Sequence, residues 1–169
     1  EVEKHAAREA YQDGTCFLGG GAGYGEFDDV SCGLNDSLGK VLLVGDSFAA
    51  HLLPGLQATL SNRVVQLTAG ECRPLMNVET LNTVNCIEVR RYWFDILFKK
   101  KWVGVILSGR WQTEEFAALA ETISQIRQNT DQVFVIGPSI EYQGKAPELY
   151  SVYGESRLIK SRTDLSRIG

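Results

Sequence analysis

From residue 40 onward the apolar positions alternate between two rhythms. Val41 to Val44 is an unbroken apolar run, the pattern of a short strand buried on both faces. Gly45 breaks it. Leu52, Leu53, Leu56 and Leu60 then recur on one helix face, predicting a helix from Ser47 to about Leu60 that bends or restarts at Pro54. Arg63 to Leu67 reads as a second strand, with Thr68 to Cys72 as the loop at its end. Glu88 to Lys100 predicts a helix with Val89, Tyr92, Trp93, Ile96 and Leu97 inward, and with lysines at the end that its dipole favours. Trp102 to Leu107 is a third strand, closed by the loop Ser108-Gly109-Arg110-Trp111. Thr113, Glu114 and Glu115 supply cap chemistry for a helix striped with Phe116, Leu119, Ala120, Ile123 and Ile126, which stops at Asn129-Thr130-Asp131. Gln132 to Gly137 is a fourth strand; residues 144 to 147 read as loop, and one or two polar helices occupy 148 to 169. Strands alternating with helices predict an α/β fold, a doubly wound parallel sheet in three layers.

The start of the chain has a different texture. Residues 1 to 12 have helix-forming composition and stop at Asp13-Gly14, with His5 expected to be solvated. From Thr15 to Gly39 glycines and acids are scattered without period, and the Lys-Ser/Thr ending of a phosphate loop is missing. This predicts an irregular segment or linker, residues 1–38, lying on an α/β domain of residues 39–169. Asp28 and Asp29 are read as solvated loop acids rather than metal ligands.

Composition narrows the function classes. The chain has 169 residues and a formal net charge of −4, which suits one domain and disfavours a nucleic-acid partner. No apolar run approaches the roughly 18 residues that span a bilayer. Glu1 opens no signal peptide, and the first residues read as the middle of a longer protein. Four cysteines fall into two local pairs, Cys16 with Cys32 and Cys72 with Cys86, with neither Cys-x-x-Cys spacing nor histidines to complete a zinc site. Two short-loop disulfides in an oxidising compartment fit this spacing, against the alternative of four buried thiols.

Candidate chemistry gathers at one edge. Gly45-Asp46-Ser47 sits at a strand-to-helix turn, so Ser47 opens a helix at the sheet's C-terminal edge, where free N–H groups and the helix dipole favour an oxyanion. The plain alternative is that Asp46 or Ser47 simply caps the helix. A parallel sheet brings the second and third loops beside it, and Gly70 is a candidate donor because a glycine lets backbone approach closely. Arg110 is a candidate for holding an anion, with a salt bridge as its ordinary role. Asp46 points away from the edge and is expected to hold the turn together through loop N–H groups.

Three blocks together carry a resemblance: Val-Gly-Asp-Ser with Ala-Ala-His-Leu at 44–52, Thr-Ala-Gly-Glu-Cys-Arg-Pro-Leu at 68–75, and a strand ending in Arg110-Trp111. Over Cys16 to Tyr142 the chain resembles the SGNH (GDSL-like) hydrolases, and within them the periplasmic domains fused to acyltransferase-3 membrane proteins that O-acetylate lipopolysaccharide and other envelope glycans. The resemblance implies a flavodoxin-like α/β fold, Ser47 as nucleophile, and an oxyanion hole from the Ser47 and Gly70 N–H groups. It also implies possible site-lining roles for Asp46, Arg110 and Trp111, both disulfides, and no metal or cofactor. The third block usually reads Gly-x-Asn-Asp; Arg110-Trp111 replaces that asparagine, as in the fused subfamily, and Phe48 stands where that subfamily often has histidine. The family's Asp-x-x-His base is not found, since no histidine follows His51. A fifth strand and that motif are therefore expected beyond Gly169. His51, one helical turn after Ser47, is poorly aimed to replace it.

The expected function is an O-acyltransferase or esterase domain acting on bacterial envelope polysaccharide. Its partners would be a carbohydrate acceptor and an acyl donor delivered by a membrane domain of the same chain, on the periplasmic side of the inner membrane. The alternative is a non-catalytic glycan-binding or partner-docking domain, with Trp111, Tyr142 and Tyr150 as sugar-stacking candidates, against core or surface packing as the ordinary reading of each.

Overall fold

The computed structural model describes residues 9–78 and 84–137, all within one compact unit, Glu1–Pro138. His5, Tyr142, Tyr150, most of the helix expected over residues 1–12 and the expected polar helices of 148–169 lie outside the described residues. The elements are β1 (Phe17–Leu18), β2 (Val41–Gly45), α1 (Ser47–Thr59), β3 (Val64–Ala69), α2 (Val84–Lys99), β4 (Gly104–Ser108), α3 (Phe116–Ile126) and β5 (Val133–Ile136). Every strand pair is parallel, in the order β1-β3-β2-β4-β5.

Because strand side chains alternate between faces, the unbroken apolar runs divide into two cores. Leu42, Val44, Val65, Leu67, Val105 and Leu107 pack on one face with Trp93 and Leu97 of α2 and Leu119 and Ile126 of α3. Leu43, Val64 and Ile106 pack on the other with Ala49 and Leu53 of α1. One helix on one face and two on the other make the three-layer α/β sandwich that the alternating rhythm predicts.

Several elements depart from the sequence reading. α1 continues through Pro54, and Leu52 stays half-exposed while Ala49 and Ala50 turn inward. α2 begins four residues before Glu88, and β4 begins two after Trp102. On α3, Phe116 and Ala120 face solvent instead of joining the stripe. A 3-10 turn over Thr113–Glu115 precedes that helix, and its three-residue period shifts the phase of the inward face. Thr122 takes an inward place, donating to the Ala118 carbonyl at 2.8 Å and accepting the Met76 N–H at 2.9 Å.

The N-terminal segment is more than a covering. Phe17 and Leu18 pair with Thr68 and Ala69, adding an edge strand to the sheet. Disulfides close Cys16–Cys32 and Cys72–Cys86, with Cα separations of 5.5 and 5.3 Å. Loops of this size are worth about 3 kcal/mol each in the chain-entropy account. Asp28 accepts the Val30 and Ser31 N–H groups and the Ser31 hydroxyl, closing a turn, and Asp29 accepts the Tyr92 hydroxyl of α2.

Candidate active site

The register places Gly45 of β2 between Thr68 of β3 and Ser108 of β4. The loops after those three strands therefore share one rim, with the β2 turn in the middle. Gly45 is obligatory there, since a Cβ would overlap the Ser108 carbonyl oxygen and stand 2.7 Å from Ala49 Cβ.

Asp46, only 3% exposed, joins the first loop to the third. Its Oδ1 accepts the Phe48 N–H and its Oδ2 the Arg110 N–H, each at 2.8 Å. It is thus the N-cap of α1 and a clamp on the Arg110 backbone, the structural part expected of it. Burial raises its carboxyl above the ordinary carboxylate range; the two N–H donors and the Arg73 and Arg110 charges oppose that shift without reversing it. Ser47 follows as the first residue of α1, half-buried. Its position at the positive end of a 13-residue helix suits it to face developing negative charge.

In the second loop the Gly70 N–H donates to the Leu18 carbonyl at 2.8 Å, at the junction with β1. Gly70 is tightly packed, because a Cβ would meet the Gly20 nitrogen at 3.0 Å. Cys72 N–H then closes a turn onto the Ala69 carbonyl at 3.1 Å, with Glu71 at φ +65°.

In the third loop, Gly109 is buried against Asp46 and the second loop. A Cβ there would lie 3.4 Å from Asp46 Oδ2 and 3.5 Å from both Arg73 Cγ and Pro74 Cδ. Arg110 has an exposed side chain. Trp111 is 7% exposed and donates from its indole nitrogen to the Ile136 carbonyl at 2.8 Å. It ties the β4 loop to the end of β5 and offers no free ring face for a sugar, which removes it from the stacking candidates.

Arg73 and Glu115 were not singled out as a pair from the sequence. Arg73 Nε donates to Glu115 Oε1 at 2.6 Å, with the two side chains 11% and 1% exposed. Glu115 Oε2 accepts the Gln112 N–H at 3.0 Å, so this residue caps its turn and also anchors the Cys72-Arg73-Pro74 loop. Forty-two residues separate the partners, and no local pattern betrays such a pairing. The only available signal was two opposite charges on loops expected at the same rim. Nearby, buried Arg90 donates to the Val78 carbonyl; burial first, then the Arg73 charge, pulls its guanidinium below its usual range.

His51 is exposed and stands edge-on to Tyr11, with ring centroids 4.8 Å apart. Among the described residues no three His, Cys, Asp or Glu side chains gather as a metal site, and no helix is long and apolar enough to cross a membrane.

The family model described as SGNH domain (fused to AT3 domains) matches residues 4–167. The chain belongs to that family. A search of curated proteins finds no match to this SGNH domain. Among solved structures it is similar to the periplasmic domain of a lipopolysaccharide acetyltransferase from Salmonella ser. Paratyphi A, with a TM-score of 0.69 and 22% identity over 90% of this chain. This SGNH domain spans 63% of that solved chain. At that identity the likeness concerns the fold: the same α/β architecture with its strand ends at one rim.

Proposed function

We propose that this SGNH domain is the acyl-transfer module of an envelope-modifying O-acetyltransferase, with Ser47 as nucleophile. The observation that carries the reading is the Asp46 clamp. A buried carboxylate fixes both the turn that presents Ser47 and the backbone of the facing Arg110 loop, the preorganisation that acyl transfer requires. Ser47 Oγ adds to the carbonyl carbon of an acyl ester, the carbonyl π pair moves onto oxygen, and the Ser47 N–H faces that charge. The hydroxyl proton passes to the histidine of an Asp-x-x-His pair, which the family pattern supplies and which these 169 residues do not include. Collapse of the adduct expels the donor's oxygen with that proton. A sugar hydroxyl then takes the acyl group from Ser47, or water takes it in an esterase.

Membership in a family named for its fusion to AT3 domains supports a membrane acyltransferase as donor within the same protein. The similarity to the periplasmic domain of a lipopolysaccharide acetyltransferase supports an envelope glycan acceptor. Together with two disulfides, it also supports an extracytoplasmic location.

The test uses the full-length protein and a fluorophosphonate probe. Wild type is expected to label at Ser47 and to acetylate envelope polysaccharide, and Ser47→Ala to lose both. Unchanged labelling in Ser47→Ala refutes the nucleophilic role. Polysaccharide binding without ester turnover in the wild type favours a glycan-docking domain.

A further inference from the structure

Outside the rim, an aromatic patch forms where the N-terminal segment meets α2. Tyr24 begins a 3-10 turn, Tyr24–Glu26. The turn is held by the Gly23 N–H on Glu26 Oε1 at 2.9 Å and by the Phe27 N–H on the Tyr24 carbonyl at 3.2 Å. The Tyr24 ring lies against Tyr92 of α2, with centroids 5.7 Å apart, and Phe27 stacks on the same Tyr92 at 5.5 Å. Phe27 is buried, whereas Tyr24 is 46% exposed. Tyr92 is tied down at its hydroxyl, which donates to Asp29. Burial first, and then that carboxylate, push the Tyr92 phenol above its usual range, so it stays protonated as the donor. An exposed ring backed in this way loses little freedom when a ligand covers it.

Two shallow depressions, of about 520 and 450 Å³, are both lined by Tyr24 and Tyr92. Asp28 and Asp29 border the first, and Glu88, Arg91 and Asp95 the second. Asp28 is used in its own turn, and Asp95 pairs with Lys99 at 2.8 Å. Glu88 and Arg91 are exposed and take no hydrogen-bond or ion-pair partner among the described residues. An open acceptor, an open donor and a ring face on one surface suit a ligand with hydroxyls around an apolar face. A pyranose is such a ligand. Its ring C–H bonds are drawn to the negative face of an aromatic ring, and its hydroxyls both donate to a carboxylate and accept from a guanidinium. Carboxylates outnumber cations here, which disfavours phosphate-rich partners. Charged side chains crowd the patch, where the centre of a protein interface has few. Its shallowness suits a chain laid across it better than a small molecule that needs enclosure.

The chain carries this patch close to the rim. Gly20 abuts Gly70 of the second loop, and the Asn85 side chain donates to the Gly21 carbonyl. Tyr24 follows Gly20 by four residues, a reach of at most about 14 Å. β1 is itself two strands from β2, about 10 Å. We infer that Tyr24, backed by Tyr92 and flanked by Glu88 and Arg91, is a glycan subsite that grips the acceptor chain at a sugar other than the one acylated. Its role as an acceptor subsite rests on the acyl-transfer reading of Ser47; its affinity for glycan does not. Holding the chain there raises the local concentration of its other hydroxyls at the rim.

The test titrates the full-length protein calorimetrically with envelope polysaccharide from a host strain lacking the gene, and follows acetylation of the same polysaccharide. Tyr24→Ala is expected to weaken binding and raise KM about tenfold or more, with kcat within about twofold of wild type. Tyr24→Phe keeps the ring face and should stay within about threefold, while Glu88→Gln and Arg91→Gln each weaken binding about three- to tenfold. Fluorophosphonate labelling of Ser47 needs no acceptor and reports that each variant is folded. Wild-type affinity in Tyr24→Ala, or no polysaccharide binding by the wild type, overturns the inference. So does a dimer that Tyr24→Ala dissociates while polysaccharide affinity is unchanged, which would make the patch a face between copies. Ser47→Ala is run in parallel: persistent labelling there brings down the reading of Ser47 and leaves the binding result standing, a separate failure.

Discussion

Replacing Arg73 by methionine should be among the most damaging single changes away from the nucleophile. Glu115 is 1% exposed at its side chain, and two donors reach it, Arg73 Nε at 2.6 Å and Gln112 N–H at 3.0 Å. Arg73→Met keeps most of the stem but leaves a buried carboxylate with one backbone donor. Removing one partner of a buried pair costs about 3–5 kcal/mol, a fifth or more of the roughly 5–15 kcal/mol that holds a domain together. Glu115→Gln is milder, about 1–3 kcal/mol, because the neutral amide still offers an oxygen and Arg73 is 11% exposed. In Arg73→Met with Glu115→Gln no charge is left buried, so the double variant should be more stable than the sum of the single losses by roughly 0.5–3 kcal/mol. Urea unfolding followed by tryptophan fluorescence, with the disulfides intact, gives all four corners of the cycle. Single losses below about 1 kcal/mol that add without coupling would show that the pair carries no burden in joining the second and third loops.

Two further outcomes follow from the same rim. Gly45→Ala should cost about 3 kcal/mol or more, since the new methyl meets backbone that cannot rotate away; a melting temperature within about 2 °C of wild type would contradict the close approach of β2 and β4. Asp46 is held above its ordinary value by burial, so in the window just above 3.8 the folded protein binds a proton that the unfolded chain releases. Its contribution is full below 3.8 and is lost as pH rises through the folded value. Asp46→Asn should flatten that part of the stability–pH curve and cost about 1–3 kcal/mol at pH 7, because an amide cannot accept both the Phe48 and Arg110 N–H groups with two oxygens. Thermal melts from pH 3 to 7 check it, and an unaltered slope in the variant would assign the dependence to other groups.

The strands and the shared rim were legible because buried parallel strands write themselves as apolar runs ended by glycine, as Val41 to Gly45 does. Such a sheet must also bring its strand ends together. β1 was not legible: two residues, Phe17 and Leu18, in a glycine-rich stretch carry no period, and their pairing depends on a register set far away at Thr68 and Ala69. That gap reached the rim, since without β1 the Leu18 carbonyl has no place beside the Gly70 amide. The partner of Trp111 was not legible for a similar reason, since nothing near it in sequence reveals that its indole would reach the Ile136 carbonyl. Phe116 was misread because a 3-10 turn slips the helical phase ahead of it.

The two cystines lie on either side of one turn, and this divides the molecule by what each part needs from its surroundings. The central strands β2, β3 and β4 are held by hydrophobic contacts and would assemble in the presence of glutathione. The loop after β3 would then lose both covalent moorings at once. Material made in a reducing cytoplasm should therefore show native far-ultraviolet dichroism yet respond sluggishly to serine-directed probes, and regain its rate on reoxidation. For this domain an oxidising environment would set the sharpness of the workplace more than the existence of the building.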